Sequence, residues 1–417
     1  MFHEIKKEYL ERLEKSLSAK DYESYLRCFD DKETHGMTIN YNKLKKSSID
    51  LDYIVKKFDL NRVYENESFG YYIYDKEKLS MNGIYPGKDP LYHVGLYYIQ
   101  EPSAAKVMYN VPIKSSDVVL DLCASPGGKS IETLYSLKKE DGGFLVSNEI
   151  DRKRVKTLNS NIERMGFENV AIVSEESKNL ADRFSDCFDK VIVDAPCSGE
   201  GMFRKSEEAR LQWSEELVKS CARLQKALVD DAYKMLKNGG VLIYSTCTFS
   251  EEEDEDVVDS LVKKYNDLKI ICMEKNYPFN SIGEGQFYAI IKKDGINDYK
   301  NGVLKKDDFE GLNLIRYGIS RFAKDTIYEK NNKYKTNKDD DIKPSHESTH
   351  IDDIVFENVV DLDDTEVYKY LKGETIKKDL NFNGYCKITY KNIGLGLAKY
   401  SGGILKNHYP KGLRLLQ

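Results

Sequence analysis

Long apolar runs, paired cysteines and a positive net charge are all missing from this chain, and each absence removes a class of protein. No stretch is apolar enough and long enough to span a bilayer. Met1–Lys20 is charged, helical in period and without the apolar centre of a signal peptide, so a cytoplasmic location with no membrane partner is expected. The eight cysteines show no CxxC and no paired spacing, which suits reduced thiols rather than disulfides or a zinc site. Acidic side chains (70) outnumber basic ones (64), and the net charge of −6 weighs against nucleic acid as a partner. That balance reverses locally, because Glu366–Gln417 holds ten Lys/Arg against three Asp/Glu. A solvated lysine-rich surface and a phosphate footprint explain this basic end equally well. No internal repeat at a solenoid period is present.

What remains is room for two or three domains with a substantial core in 417 residues, 40% of them hydrophobic. The chain is organised around Lys190–Lys205, KVIVDAPCSGEGMFRK. There an apolar run ends in Asp194, Ala195, Pro196 and Cys197, followed by the glycine-flanked turn Ser198-Gly199-Glu200-Gly201. A β-branched run that stops at an acid and a proline reads as a buried parallel strand meeting a functional loop. Pro196 restricts the direction in which that loop leaves.

The rest of the pattern fits an α/β domain. Val118–Leu122, Gly143–Asn148, Val170–Val173, Val191–Val193 and Val241–Ser245 read as strands. Gly128–Lys138, Arg152–Met165 and Glu215–Leu236 read as helices, the last ended by Asn238-Gly239-Gly240. Gly285–Lys292 reads as the closing strand. Such alternation predicts a doubly wound, mostly parallel sheet over 112–293. Before it, 1–111 form an N-terminal extension: two amphipathic helices with Ile5, Tyr9, Leu10, Leu13 and Leu17 on one face, then a small α+β unit. After it, 294–353 connect through the polar insertion Asn331–Asp341, and 354–417 form a small β-rich domain with a helix near Asp364–Leu371. Ser250 and Glu253 fit a capping box, which puts the acidic run Glu251–Asp256 in a first helical turn as a structural feature.

Chemistry collects at the carboxyl ends of these strands. Asp121 is followed by Leu122-Cys123-Ala124-Ser125-Pro126-Gly127-Gly128-Lys129-Ser130. Glycines after a strand let the backbone turn tightly and approach a ligand, and the next helix offers free N–H groups. The spacing of a phosphate-binding P-loop is absent, as is a dinucleotide GxGxxG. A glycine turn suited to a compact ligand such as S-adenosylmethionine is left. The second strand ends in Asn148-Glu149, where an acid can accept hydrogen bonds from ribose hydroxyls. Cys197 and Cys247 follow the fourth and fifth strands. A lone cysteine is most often a small buried hydrophobe. Two thiols at the active ends of strands, beside an acid and a methyl donor, suit methylation of pyrimidine carbon 5. That carbon becomes nucleophilic only when a thiolate adds at carbon 6.

DLCASPGGKS, SNEIDRKR, FDKVIVDAPCSGEGMFRK and YSTCTFSEEE together resemble the motifs of the Fmu/Sun family of RNA cytosine-5 methyltransferases. LYYIQEPSAAK and LKNHYPKGLR resemble its RsmF-like ribosomal RNA branch. The resemblance implies a Rossmann-like S-adenosylmethionine-dependent methyltransferase core, an N-terminal RNA-binding α+β extension and a C-terminal PUA-like β-rich RNA-binding domain. It implies that Cys123, Ala124, Ser125, Pro126, Gly127, Gly128 and Lys129 wrap the methionine part of S-adenosylmethionine. Glu149 would hold the ribose, Glu176 would lie by the adenine, and Asp194 would border both cofactor and base. Cys247 is expected to attack cytosine, with Cys197 assisting release and Lys129 orienting Asp194 or the base. A nucleophilic Cys197 stays open, because in DNA cytosine methyltransferases the cysteine beside the proline attacks.

The implied partner is RNA, small-subunit ribosomal RNA in this branch, with the chain acting as a monomer and no metal. A transfer RNA substrate, an amino-group methyltransferase and a non-catalytic assembly factor are the rival readings. Arg204 and Lys205 fit either RNA phosphates or a solvated helix start. His346 and His350 have helical spacing but no third ligand. Trp213 is expected to pack rather than stack on bases.

Overall fold

β-branched residues buried on both faces make the central strands of a parallel sheet, since helices cover both sides of it. The computed structural model describes residues 5–65, 68–296, 304–318, 333–334, 344–351 and 354–415. In it these strands are β1 (Val118–Asp121), β2 (Phe144–Asn148), β3 (Val170–Val173), β4 (Phe188–Asp194) and β5 (Leu236–Thr246). Three more, β6 (Leu268–Asn276), β7 (Gln286–Lys293) and β8 (Leu314–Tyr317), complete an eight-stranded sheet of order β6-β7-β5-β4-β1-β2-β3-β8. β1 to β5 are parallel, and β7 runs antiparallel to both β5 and β6. The connecting helices are α1 (Gly128–Ser136), α2 (Arg154–Met165), α3 (Ser177–Arg183), α4 (Glu215–Met235) and α5 (Glu255–Lys264). This is the doubly wound Rossmann-like fold that the alternation predicts. Its strand order reverses between β1 and β4, where such sheets bind ligands.

Three local features differ from the sequence reading. β7 does not close the sheet, because β6 pairs outside it. β6 leaves Ile271 and Met273 exposed, so it lacks the alternation that marks a half-buried strand. Asn238-Gly239-Gly240 does not separate α4 from β5. The chain passes from Met235 straight into β5, and the extra residues bulge where the register shifts from Phe188↔Leu236 to Lys190↔Val241. Ser250 and Glu253 form no capping box, since α5 begins at Glu255 and both side chains are used elsewhere.

The chain gathers into two compact units: Met1–Gly36, Gln100–Leu158 and Asn169–Arg316 in the first, and Met37–Ile99, Asn159–Glu168 and Tyr317–Gln417 in the second. The N-terminal segment is thus divided between them. Helices Lys7–Ser16 and Ala19–Arg27 place Ile5, Tyr9 and Leu13 in a buried cluster with Phe203, Trp213, Val218 and Phe249 of the first unit. Trp213 is 1% exposed and packs edge-on against Tyr9.

The second unit holds a four-stranded and a five-stranded sheet, the latter of order Val359–Leu362, Gly384–Tyr390, Ile393–Ser401, Ile404–Asn407, Ile376–Lys377. One hydrophobic cluster joins Met37, Ile54, Phe58 and Tyr97 to Val367, Tyr370 and Leu395. Of Asn331–Asp341, only Lys333–Tyr334 is described, paired in parallel with Val355–Phe356; the remainder lies outside the described residues. Among the described residues, no helix is long and apolar enough to cross a membrane.

Candidate active site

Parallel pairing of β4 with β5 puts Asp194 opposite Ser245, so the loops after both strands leave the sheet side by side. Cys197 and Cys247, 50 positions apart, consequently stand with their sulfurs 3.3 Å apart. Two buried carboxylates lace the loops together. Glu200 accepts from Trp213 Nε1 (2.9 Å), Phe249 N (2.9 Å) and Ser250 Oγ (2.6 Å). Glu253 accepts from Ser198 N (3.0 Å) and Gln225 Nε2 (2.8 Å). Gly201 N donates to Cys247 O at 2.9 Å, and the hydroxyls of Ser198 and Thr248 meet at 2.7 Å. Sequence reading missed Glu200 and Glu253 as site-building residues. The SGEG and SEEE strings that contain them were the available signal, but their pairing is tertiary.

Asp194 is held from several sides. Lys129 Nζ lies 2.8 Å from Oδ2, while Ser245 Oγ donates to Oδ1 at 2.7 Å. Burial works against the Lys129 ammonium, but the Asp194 charge and hydrogen bond outweigh it and keep it protonated. The Cys247 hydrogen bond and then burial push the Cys197 thiol well above its ordinary value, so Cys197 rests protonated beside Cys247.

A cavity of about 280 Å³ opens at this point, lined by Cys123, Ser125, Asp194, Cys197 and Cys247 among others. Upstream, Ser130 Oγ caps Asp121 Oδ2 at 2.7 Å, and burial pushes the Asp121 carboxyl up to about 7. Ala124 N donates to Asn148 O at 2.8 Å, and Arg154 Nη2 donates to Ser125 O at 2.7 Å, tying the Cys123–Lys129 turn to the end of β2. Pro126 follows a cis peptide bond. Gly127 sits at φ +117°, a backbone conformation that disfavours a side chain there, and a Cβ on Gly128 would lie 2.9 Å from Gln100 Nε2, so that side chain would have to move.

Glu149 is buried at the end of β2, where it accepts from Asp151 N at 2.8 Å. At the exit of β3 the two acids divide. Glu175 accepts from Asn313 N and Asn179 Nδ2, whereas no described residue hydrogen-bonds the exposed carboxylate of Glu176. Glu149 and Glu176 lie outside the cavity lining that joins the thiols. They mark the adjoining strand ends, on the carboxyl edge where open α/β sheets bind ligands.

Other residues singled out in the sequence take different roles. Arg204 and Lys205 are neither solvated nor free for phosphates. Their side chains are 9% and 16% exposed and pair with buried Glu284 at 3.3 Å each. They also donate to the carbonyls of Asp31 and Thr34, respectively, because the loop after Gly201 turns inward. In the second unit, His346 and His350 approach at 3.4 Å between Nε2 atoms, and burial pushes His346 down to about 4. Among the described residues no three metal-ligating side chains form a cluster.

Three family models match successive parts of the chain. The model of the 16S rRNA methyltransferase RsmB/F family matches residues 108–296. The N-terminal domain of 16S rRNA methyltransferase RsmF matches 5–102, and the methyltransferase RsmF PUA domain matches 357–415. The three follow one another along the chain without overlap. This chain belongs to the RsmB/F methyltransferase family.

Ribosomal RNA small subunit methyltransferase F of Shewanella piezotolerans is 29% identical over 379 residues, 76% of this chain and 79% of that one. The protein of the same name from Vibrio cholerae is 43% identical over 178 residues, but only 42% of this chain and 37% of that one align. Among solved structures, NSun6 from Pyrococcus horikoshii with SFG has a TM-score of 0.56 at 21% identity, covering 70% of this chain and 99% of that one. A methyltransferase homolog from the same organism has a TM-score of 0.55 at 22% identity, over 66% and 92% of the two chains. Both show the fold alone. As a member of this methyltransferase family the chain is an enzyme, a transferase, and its cofactor is S-adenosylmethionine.

Proposed function

We propose that this RsmB/F-family enzyme methylates carbon 5 of a cytosine in small-subunit ribosomal RNA through a covalent Cys247–cytosine adduct. The observation that carries the reading is the pair of sulfurs 3.3 Å apart beside Asp194, which Lys129 Nζ approaches to 2.8 Å. Methylation at an exocyclic amine needs no thiol, still less two. The names of the relatives supply the ribosomal substrate.

S-adenosylmethionine, when bound, supplies an electrophilic methyl group. The Cys123–Lys129 turn, Glu149, Glu176 and Asp194 would hold it. Cys247 Sγ, as the thiolate, adds to carbon 6 of a flipped cytosine and pushes its electron density onto carbon 5. Asp194, steadied by Lys129 and Ser245, hydrogen-bonds the pyrimidine edge and stabilises the adduct. Carbon 5 then takes the methyl group and gives up its proton, with Cys197 assisting directly or through water, and Cys247 Sγ departs as the thiolate. Extruding the base costs a few kcal/mol, and less from a loop or open strand. Residues 1–111 and 354–417 would grip the RNA, with the protein acting as a monomer in the cytoplasm.

Trapping with 5-fluorocytosine-containing ribosomal RNA tests the order of the thiols. Cys247→Ala is expected to abolish the covalent adduct, and Cys197→Ala to accumulate it. The opposite pattern makes Cys197 the nucleophile and overturns this assignment. Bisulfite sequencing of RNA from cells lacking the protein should show one lost methylation in 16S rRNA; a loss confined to transfer RNA would refute the substrate.

A further inference from the structure

Gln286 carries no role in the sequence reading, yet its side chain shares the cavity with Asp194, Cys197 and Cys247. Its position follows from register. Phe287 pairs with Thr246 across the antiparallel β5–β7 ladder, so Gln286 stands one step beyond, level with Cys247. The approach to that point is narrow. Gly285 has φ +99°, and a Cβ there would lie 2.6 Å from Asn276 O and 2.7 Å from the Phe249 ring.

The orientation of the Gln286 amide is set by its neighbour. Nε2 lies 3.3 Å from Asp194 Oδ1, and a carboxylate accepts but cannot donate, so the nitrogen must face Asp194 and Oε1 must face away. Gln286 is only 3% exposed, yet no described residue donates a hydrogen bond to Oε1. Asp194 already receives Lys129 at 2.8 Å and Ser245 at 2.7 Å, so the amide is not required to compensate its charge. With no donor among the described residues, Oε1 is left to accept from a ligand in the cavity that Gln286 lines.

We propose that Gln286 Oε1 accepts a hydrogen bond from the exocyclic amine of the target pyrimidine and thereby selects cytosine over uracil. This rests on the cytosine reading above. Uracil carries a carbonyl oxygen where cytosine carries the amine, and two acceptors repel. The amide cannot rotate to accommodate it, since that would turn Oε1 onto Asp194 Oδ1. Asp194 therefore acts as the lock that fixes which end of Gln286 the base meets.

The test pairs a protein change with a base change. A 16S rRNA fragment carries its mapped target as cytidine, as pyrimidin-2-one riboside (which lacks only the amine) or as uridine. Rates of adduct formation and of tritium transfer from labelled S-adenosylmethionine are compared for wild type, Gln286→Leu and Gln286→Met. The wild type is expected to prefer cytidine over the pyrimidinone by about ten- to hundredfold, in line with one well-placed base contact. Both variants should lose that preference while reacting with the pyrimidinone within about threefold of the wild-type rate, and the cytidine-to-uridine ratio should fall as well. Unfolding midpoints of the variants establish that they fold, and the unbranched Met fills the site if Leu does not. Equal slowing on cytidine and pyrimidinone, with the ratio unchanged, would mean that Gln286 only props Asp194 and would overturn the proposal. Failure of the wild type to label cytidine at all would instead bring down the reaction itself, a distinguishable result.

Discussion

At the scale of single residues, the site is a set of buried polar groups whose state depends on their neighbours. Glu253 illustrates this, since burial pushes its carboxyl up to about 7 although it accepts two hydrogen bonds. Unfolded, the same group titrates near its ordinary 4.5, so the folded protein binds the extra proton between the two values. Stability from this residue is therefore full below about 4.5 and is lost as pH rises through 7. Glu253→Gln keeps an acceptor for Ser198 N without the charge. Relative to wild type, the variant should gain about 1–3 kcal/mol on going from pH 5 to pH 8, measured by urea unfolding at both pH values. Parallel unfolding curves at the two pH values would contradict this. Trp213 links site and core, with its ring in the aromatic cluster and its N–H on Glu200. Trp213→Phe should cost about 1–2 kcal/mol and lower the rate of adduct formation, because Glu200 loses one of three donors.

At the scale of elements, the loops after β4 and β5 are positioned by the sheet below them and by helices outside it. Short parallel strands with both faces covered leave little freedom in register, so Asp194 and Ser245 meet reproducibly and the thiols follow. The entrance to β7 is equally constrained. Gly285→Ala places a Cβ against Asn276 O and the Phe249 ring from a positive φ. A loss of at least 2 kcal/mol is expected, on the order of the strain at such a position plus the clash, with a lower unfolding midpoint as the readout. Gly83, also at positive φ (+71°) but with nothing within 4 Å of its Cβ, is the control and should lose less.

At the scale of the whole molecule, two compact units share one chain, and the charge is uneven between their parts. Lys369, Lys372, Lys377, Lys406 and Lys411 are exposed on the C-terminal module, in a chain of net charge −6. If these lysines meet RNA phosphates, replacing Lys406 and Lys411 by Ala should weaken RNA binding uniformly across sequences. It should also flatten the slope of log K against log salt by about 1–2, through the counterions no longer released. An unchanged salt slope would assign these lysines to solvent.

The sequence by itself determined the residue types at the strand ends: an acid after β1 and β4, an acid after β2, glycines that clear a turn, and thiols after β4 and β5. These are local choices of backbone and chemistry, and they are legible because alternating strands and helices put every such residue on one edge of a sheet. It also contained the apolar face of the first helices, through the 3.6-residue period of Ile5, Tyr9 and Leu13. Only the tertiary structure decided which of these groups touch. The 3.3 Å between the sulfurs, the pull of Glu200 and Glu253 on loops far along the chain, and the inward turn of Arg204 and Lys205 onto Glu284 all depend on sheet register and packing. Gln286 depends on them most of all, because an amide has no chemistry of its own until a fixed carboxylate tells it which way to point.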